Sequence, residues 1–235
     1  MPVSTPITTF ALAVALAWSA PADAGNKGTA LSAKTFAADR ATVLFYVRWD
    51  RAWGCGRFEN AQLQSLSFAR MPLDAGGADA IAVEPKSTLF VDADWHPYAF
   101  VVAPGTYALT AFDLKVAASK TDVRHLAPTV ENLVVDGVAQ GGTFEAAAGE
   151  ITYIGSFYVD CSTPDPIPWR YWFQHPDIDT FAAAFRADHP YTRGTPLRQR
   201  LFATTTIGEM DGVEDFVLDE AVSPATDGET GASTR

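Results

Sequence analysis

Hydrophobic and polar positions along the chain mostly alternate with a period of two, and that pattern predicts strands. Thr42-Val43-Leu44-Phe45-Tyr46-Val47-Arg48-Trp49 is β-branched and aromatic without a helical period, so it reads as a strand buried on both faces and central in its sheet. Gly54-Cys55-Gly56 follows as a loop. In residues 61–70, Ala61 and Leu63 share one parity and Leu66 and Phe68 the other, which predicts a bulge or bend near Ser65. Gly76-Gly77 breaks the chain, and Ile81 to Val91 resumes extended character around Pro85, a residue that favours an edge or a break. Tyr98, Phe100 and Val102 alternate up to Ala103-Pro104-Gly105-Thr106, whose Pro-Gly pair suits a type II turn. Tyr107, Leu109 and Ala111 alternate beyond it, then Phe112, Leu114 and Val116 after one phase shift. The whole predicts a hairpin, with the Tyr107 ring tucked under the sheet corner and its hydroxyl on a backbone partner.

The same punctuation continues through Leu133–Gly137 and Gly141–Glu145 into ITYIGSFYVDC, where Ile151, Tyr153, Gly155, Phe157, Val159 and Cys161 share one parity. Cys161 is thereby in phase with the buried face. Many short strands parted by Gly, Pro and Asp predict a mainly β protein, an antiparallel β-sandwich. Helical spacing enters only late. Asp177 can cap a helix carrying Ile178, Phe181, Ala182 and Phe185, with Pro190 as its stop, and Thr195-Pro196 suggests a second short helix carrying Leu197 and Leu201. The predicted organisation is a signal peptide over 1–24, a leader over 25–40, the sandwich over 41–165, a short C-terminal helical appendage packed on it over 166–208, and an acidic disordered tail over 209–235.

The signal reading rests on the apolar run Ile7 to Ala20 followed by the small-x-small site Ala22-Asp23-Ala24, although the start MPVSTP carries no Lys or Arg. That run is shorter than the roughly 20 residues a spanning helix needs, so no transmembrane span is expected in the mature chain. Export to the periplasm or cell envelope changes the meaning of the two cysteines, Cys55 and Cys161. In an oxidising compartment an even pair predicts a disulfide, and the C-x-x-C spacing of a redox motif is absent. The net charge of −11 is concentrated from Glu209 onward, where eight acids face Arg235 alone. The near-neutral remainder offers no basic cluster, which excludes nucleic acid as a partner.

Candidate chemistry is sparse. Three of the four histidines, His96, His175 and His189, precede prolines at turns, and neither they nor His125 has metal-ligand spacing. His96 with Asp92 or Asp94 is the cluster the fold could still assemble. There is no G-x-S-x-G elbow and no phosphate-cradling glycine loop, so no cofactor is expected. Asp160 with Asp165, or Asp177 with Asp179, could be drawn as an acid/base pair for glycoside hydrolysis, against the commoner role of such carboxylates in turns and caps. The densest feature is Pro166-Ile167-Pro168-Trp169-Arg170-Tyr171-Trp172-Phe173. Trp169, Arg170, Tyr171 and Trp172 could form a ligand-facing platform, or Trp169, Tyr171 and Phe173 could instead pin a helical segment to the sandwich. Val213, Phe216, Val217 and Leu218 in the tail could dock on a basic partner or extend a sheet edge, or simply be solvated.

PGTY at 104–107 followed by FEAAAGEITYIGSF at 144–157, with a helix ending Asp188-His189-Pro190, resembles a loose group of uncharacterised exported bacterial proteins, and P-G-T-Y also recurs in carboxypeptidase-regulatory-like sandwiches. The resemblance covers about residues 40–205 and implies an envelope-associated β-sandwich with no established activity and no transferable site residues. The expectation is a non-enzymatic exported binding or structural module with a protein or envelope-polymer partner. Its alternatives are a hydrolase with a carboxylate/histidine site assembled by the fold and a carbohydrate-binding module using the 169–173 aromatics.

Overall fold

Ala41–Arg48 is buried on both faces because it lies between two other strands in the middle layer of a three-layer fold. The computed structural model describes residues 28–73, 79–87, 93–162, 164–171, 178–204 and 220–221. The first half of the chain forms β1 (Thr29–Ala30), β2 (Ala41–Arg48), β3 (Arg51–Cys55), β4 (Phe58–Arg70), β5 (Ala80–Val83), β6 (Trp95–Val102) and β7 (Gly105–Ala117). The second forms β8 (Val123–Leu126), α1 (Val130–Leu133), β9 (Val134–Val135), β10 (Val138–Ala139), β11 (Thr143–Ala146), β12 (Ile151–Asp160), β13 (Ile167–Tyr171), α2 (Ile178–Asp188), β14 (Leu197–Gln199) and β15 (Glu220–Ala221). One sheet is ordered β11-β7-β4-β3, with β5 also on β4 and β8 also on β7. The other is ordered β1-β6-β2-β12-β14-β15, with β13 also on β12. The fold is mainly β, sandwich-like and short of helix, as the sequence predicts.

Alternate residues of β2 serve two cores. Val43, Phe45 and Val47 point between the sheets, where Phe45 meets Phe68 and Phe157 edge-on at 5.9 Å each. Leu44 joins Ile151, Tyr153, Phe185, Leu197 and Leu201 in a second cluster on the far side, which is where α2 docks. Each large apolar side chain removed from water in this way stabilises the fold by ~1.5–3 kcal/mol. The predicted bulge is found in β4, where pairing with β7 skips a residue between Leu63 and Ser65, so that Ala61, Leu63, Leu66 and Phe68 are all fully buried despite their mixed parity.

Five local readings are corrected. Pro104-Gly105 does not close a hairpin: β6 belongs to the sheet of β2 and β7 to the sheet of β4, so the turn is a corner between layers. The Gly54-Cys55-Gly56 stretch is not a loop throughout, because Cys55 ends β3 and a two-residue turn returns the chain to Phe58. The single parity read along β12 breaks at a bulge between Tyr153 and Ser156, with Gly155 at φ 107°. Ile151 and Tyr153 therefore face the α2 layer, and Phe157 and Val159 the inter-sheet core. Residues 197–199 are not helical but form β14, parallel to β12 with Leu197 opposite Ile151, because pairing along an already buried strand satisfies backbone groups that a two-turn helix would leave to water. Among its described residues the 166–208 segment thus carries α2 between two strands of the larger sheet. The sheet is also mixed, since β12 runs parallel to both β2 and β14. Of the tail, Glu220–Ala221 pairs with β14; residues 1–27, Gly76-Gly77, Asp92, Trp172, Phe173, His175, Asp177 and the remaining tail positions lie outside the described residues.

Candidate binding face

The turn from β3 into β4 is held from below by the disulfide Cys55–Cys161, with Cα atoms 4.4 Å apart and a sequence separation of 106. It joins the β3 edge of one sheet to the end of β12 in the other, as the sequence predicts. Two residues apart on a regular strand, Trp53 and Cys55 would share a face. Gly54, at φ 64°, breaks the pleat between them, so that Cys55 is fully buried while Trp53 is 71% exposed.

The register places two rows of side chains across the outer face of this sheet. Arg51 pairs with Gln62, Gln62 with Lys115 and Lys115 with His125. In the next row Trp53 pairs with Asn60, Asn60 with Ala117 and Ala117 with Val123. Their intervening neighbours Ala61, Leu63, Leu114 and Val116 fill the core, which is what turns these two rows outward. Together with Glu59, Ser119 and Lys120 the rows, His125 excepted, line a concavity of about 310 Å³. The Arg51 guanidinium lies 5.4 Å from the centre of the Trp53 ring, close enough for a cation–π contact. Gln62 is anchored because its Nε2 donates to the Trp49 carbonyl at 3.0 Å. A flat aromatic surface, the Asn60 amide and three cations can stack on a ring, pair with hydroxyls and hold an anion. The lining contains one carboxylate, Glu59, whereas glycoside hydrolysis uses two facing each other.

A second concavity of about 310 Å³ lies between α2 and the outer face of β2 and β6, walled by Leu31, Leu44, Ala99 and Phe185. Burial, and then the charge of Asp188, pushes the Tyr46 hydroxyl up from its ordinary pKa there. His189 Nδ1 hydrogen-bonds the Tyr191 hydroxyl at 2.8 Å, and its ring lies 4.7 Å from Phe185. These contacts order the end of α2 and the turn that follows it.

The residues singled out by sequence fall elsewhere. Trp169, Arg170 and Tyr171 lie on β13, opposite Tyr158, Phe157 and Ser156 respectively, so they belong to a strand of the sheet rather than to a helical segment pinned on it; Trp172 is outside the described residues. His96 sits on β6 opposite Val47 and lines neither concavity, and Asp94 is exposed. His125 pairs with Asp113 at 2.7 Å. Asp160 accepts a hydrogen bond from the Ser162 backbone at 2.6 Å while Asp165 forms an exposed ion pair with Arg57, so each has a structural partner of its own. Among the described residues no three His, Cys, Asp or Glu side chains gather into a metal site. Trp53 was missed by the sequence reading. Its signal was the alternation Arg51-Ala52-Trp53, with only the alanine suited to a core, hidden by taking the adjoining glycines for a loop.

No protein-family model, curated protein or solved structure matches the chain.

Proposed function

We propose that this protein is an exported, envelope-associated binding module that works without catalysis and contacts an envelope polymer through the Trp53 face. The observation that carries this reading is the combination at that face of a 71% exposed tryptophan, a guanidinium against its ring and flanking amides and lysines over a concave sheet surface. Trp and Arg are the side chains that contribute most to recognition when a partner covers them. Export is supported by the apolar leader with its Ala22-Asp23-Ala24 site and by the disulfide, which persists in oxidising compartments. The resemblance to exported envelope sandwiches points the same way.

The test is cosedimentation of the purified full chain with insoluble cell-envelope polymer, comparing wild type with Trp53→Ala. The expected result is retention of the wild type and release of the variant. Equal retention of both overturns the reading, as does release of both. Cell fractionation tests the location separately: the chain in the cytosolic fraction with its thiols reduced excludes export.

A further inference from the structure

Resting on that reading, we infer that the ligand of the Trp53 face is an acidic polysaccharide, with a sugar ring stacked on the indole and carboxylate or sulfate groups held by Arg51, Lys115 and Lys120. Charge is the first observation. The chain as a whole is at −11, yet this lining carries three cations against the single Glu59. Among the described residues none of the three is in a salt bridge. Arg51 and Lys115 stand in one lateral row with only Gln62 between them, so about 10 Å separates their strands, roughly one Debye length at physiological salt. Like charges at that separation repel, and an anion between them relieves the repulsion.

The second observation is the kind of surface. Trp53 presents a broad apolar ring to water beside polar neighbours, and the apolar C–H face of a sugar covers such a ring while its hydroxyls remain free to pair with Asn60. The rows also span four strands, which is room for more than one sugar along the face. The third observation separates this ligand from an acidic peptide. At both rows β4 is paired on its two sides by β3 and β7, and β7 by β4 and β8, so the middle of the face offers side chains and no free backbone groups; among the described residues only the outer edges of β3 and β8 are open, and a peptide strand added there would lie beside the face and not across it. An extended peptide laid across it would leave its own amides unpaired, a loss that a polysaccharide does not suffer.

The experiment titrates the full-length chain with polygalacturonate, dextran sulfate, neutral dextran and polyglutamate, at several salt concentrations and with the change in total tryptophan emission as the signal. For the variants, retardation in polymer-containing gels replaces the optical readout. One or both acidic polysaccharides are expected to bind, with affinity falling as salt rises. Trp53→Ala weakens binding about tenfold. Lys115→Gln with Lys120→Gln weakens it by a similar factor, about tenfold, and flattens the salt dependence. All three positions are exposed, so an unchanged denaturation midpoint confirms that each variant folds. Equal binding of neutral dextran overturns the assignment of charge, and equal binding of polyglutamate transfers the site to acidic proteins. Salt-sensitive binding indifferent to Trp53 reduces it to ion exchange and overturns the inference. If no acidic polysaccharide binds while Trp53→Ala still loses envelope cosedimentation, the ligand class is wrong and the binding face stands. If Trp53→Ala retains both, the two readings fall together.

Discussion

Tyr107 has no exposed surface, but its hydroxyl donates to the Ala103 carbonyl at 2.9 Å and its ring stacks on Phe144 at 5.3 Å, so the residue both fills the core and ties down the corner before it. This is the arrangement of a tyrosine corner in a β-sandwich. Removing the hydroxyl alone, with Tyr107→Phe, is expected to cost about 1 kcal/mol in chemical denaturation with the slope unchanged. A variant as stable as the wild type means that the hydrogen bond contributes nothing net. Two glycines separate strain from crowding. Gly54 has φ 64° and open space where a Cβ would sit, so Gly54→Ala loses only about 1 kcal/mol to backbone strain and perturbs the Trp53 face with little loss of fold. Gly142, at φ 122°, would bring a Cβ to 2.4 Å from the Ala203 carbonyl oxygen and 2.7 Å from the Phe202 ring. Gly142→Ala therefore costs more, roughly 2–4 kcal/mol, as strain and overpacking combine. Equal midpoints for the two variants contradict this ordering.

At the scale of elements, strands whose burial could be read from parity were legible, and those interrupted by a bulge were legible only when the interruption left a mark in the pattern. Leu63 to Leu66 shows such a mark, because four large or small apolar residues switch phase. In β12 both faces are covered, so the residues of either parity are apolar or small and the bulge at Gly155 is silent. The helix α2 was visible for the opposite reason: one of its faces meets solvent and keeps a 3.6-residue period. Its anchor is Phe185, 9% exposed in the second cluster. Phe185→Ala is expected to free α2 from the sandwich and raise protease cleavage between Ile178 and His189, while the sheet signal in circular dichroism is retained. Loss of sheet signal in step with cleavage makes the α2 layer part of one cooperative unit instead.

For the whole molecule, the two sheets are tied by core packing and by one covalent link. Replacing both cysteines by serine frees a 106-position separation in the unfolded chain and is expected to lower stability by ~4–5 kcal/mol in the chain-entropy account. A loss under about 1 kcal/mol places the stabilisation in packing alone. Alkaline pH acts on the same assembly through its tyrosines. Burial, with Asp50 adding to it and Arg48 opposing, pushes Tyr158 up to about 12, and burial raises Tyr46, Tyr98, Tyr107 and Tyr191 as well. Each raised group holds its proton more tightly folded than unfolded. The contribution is complete below the ordinary value near 10 and is lost as pH climbs from there through about 12, so denaturation midpoints should fall across that window and not below it.

The binding face shows where sequence information ends. Local pattern determined that this chain is mainly β, where most strands lie, that Tyr107 needs a backbone partner and that the two cysteines pair, because each depends on short-range alternation, turn chemistry or the arithmetic of two thiols. Which strands are neighbours was decided only in three dimensions, since pairing joins residues far apart in sequence by hydrogen bonds common to every residue type. Pro104-Gly105 joins layers instead of closing a hairpin, Leu197–Gln199 found a strand to pair with, and Arg51, Gln62 and Lys115 came into one row, for that single reason.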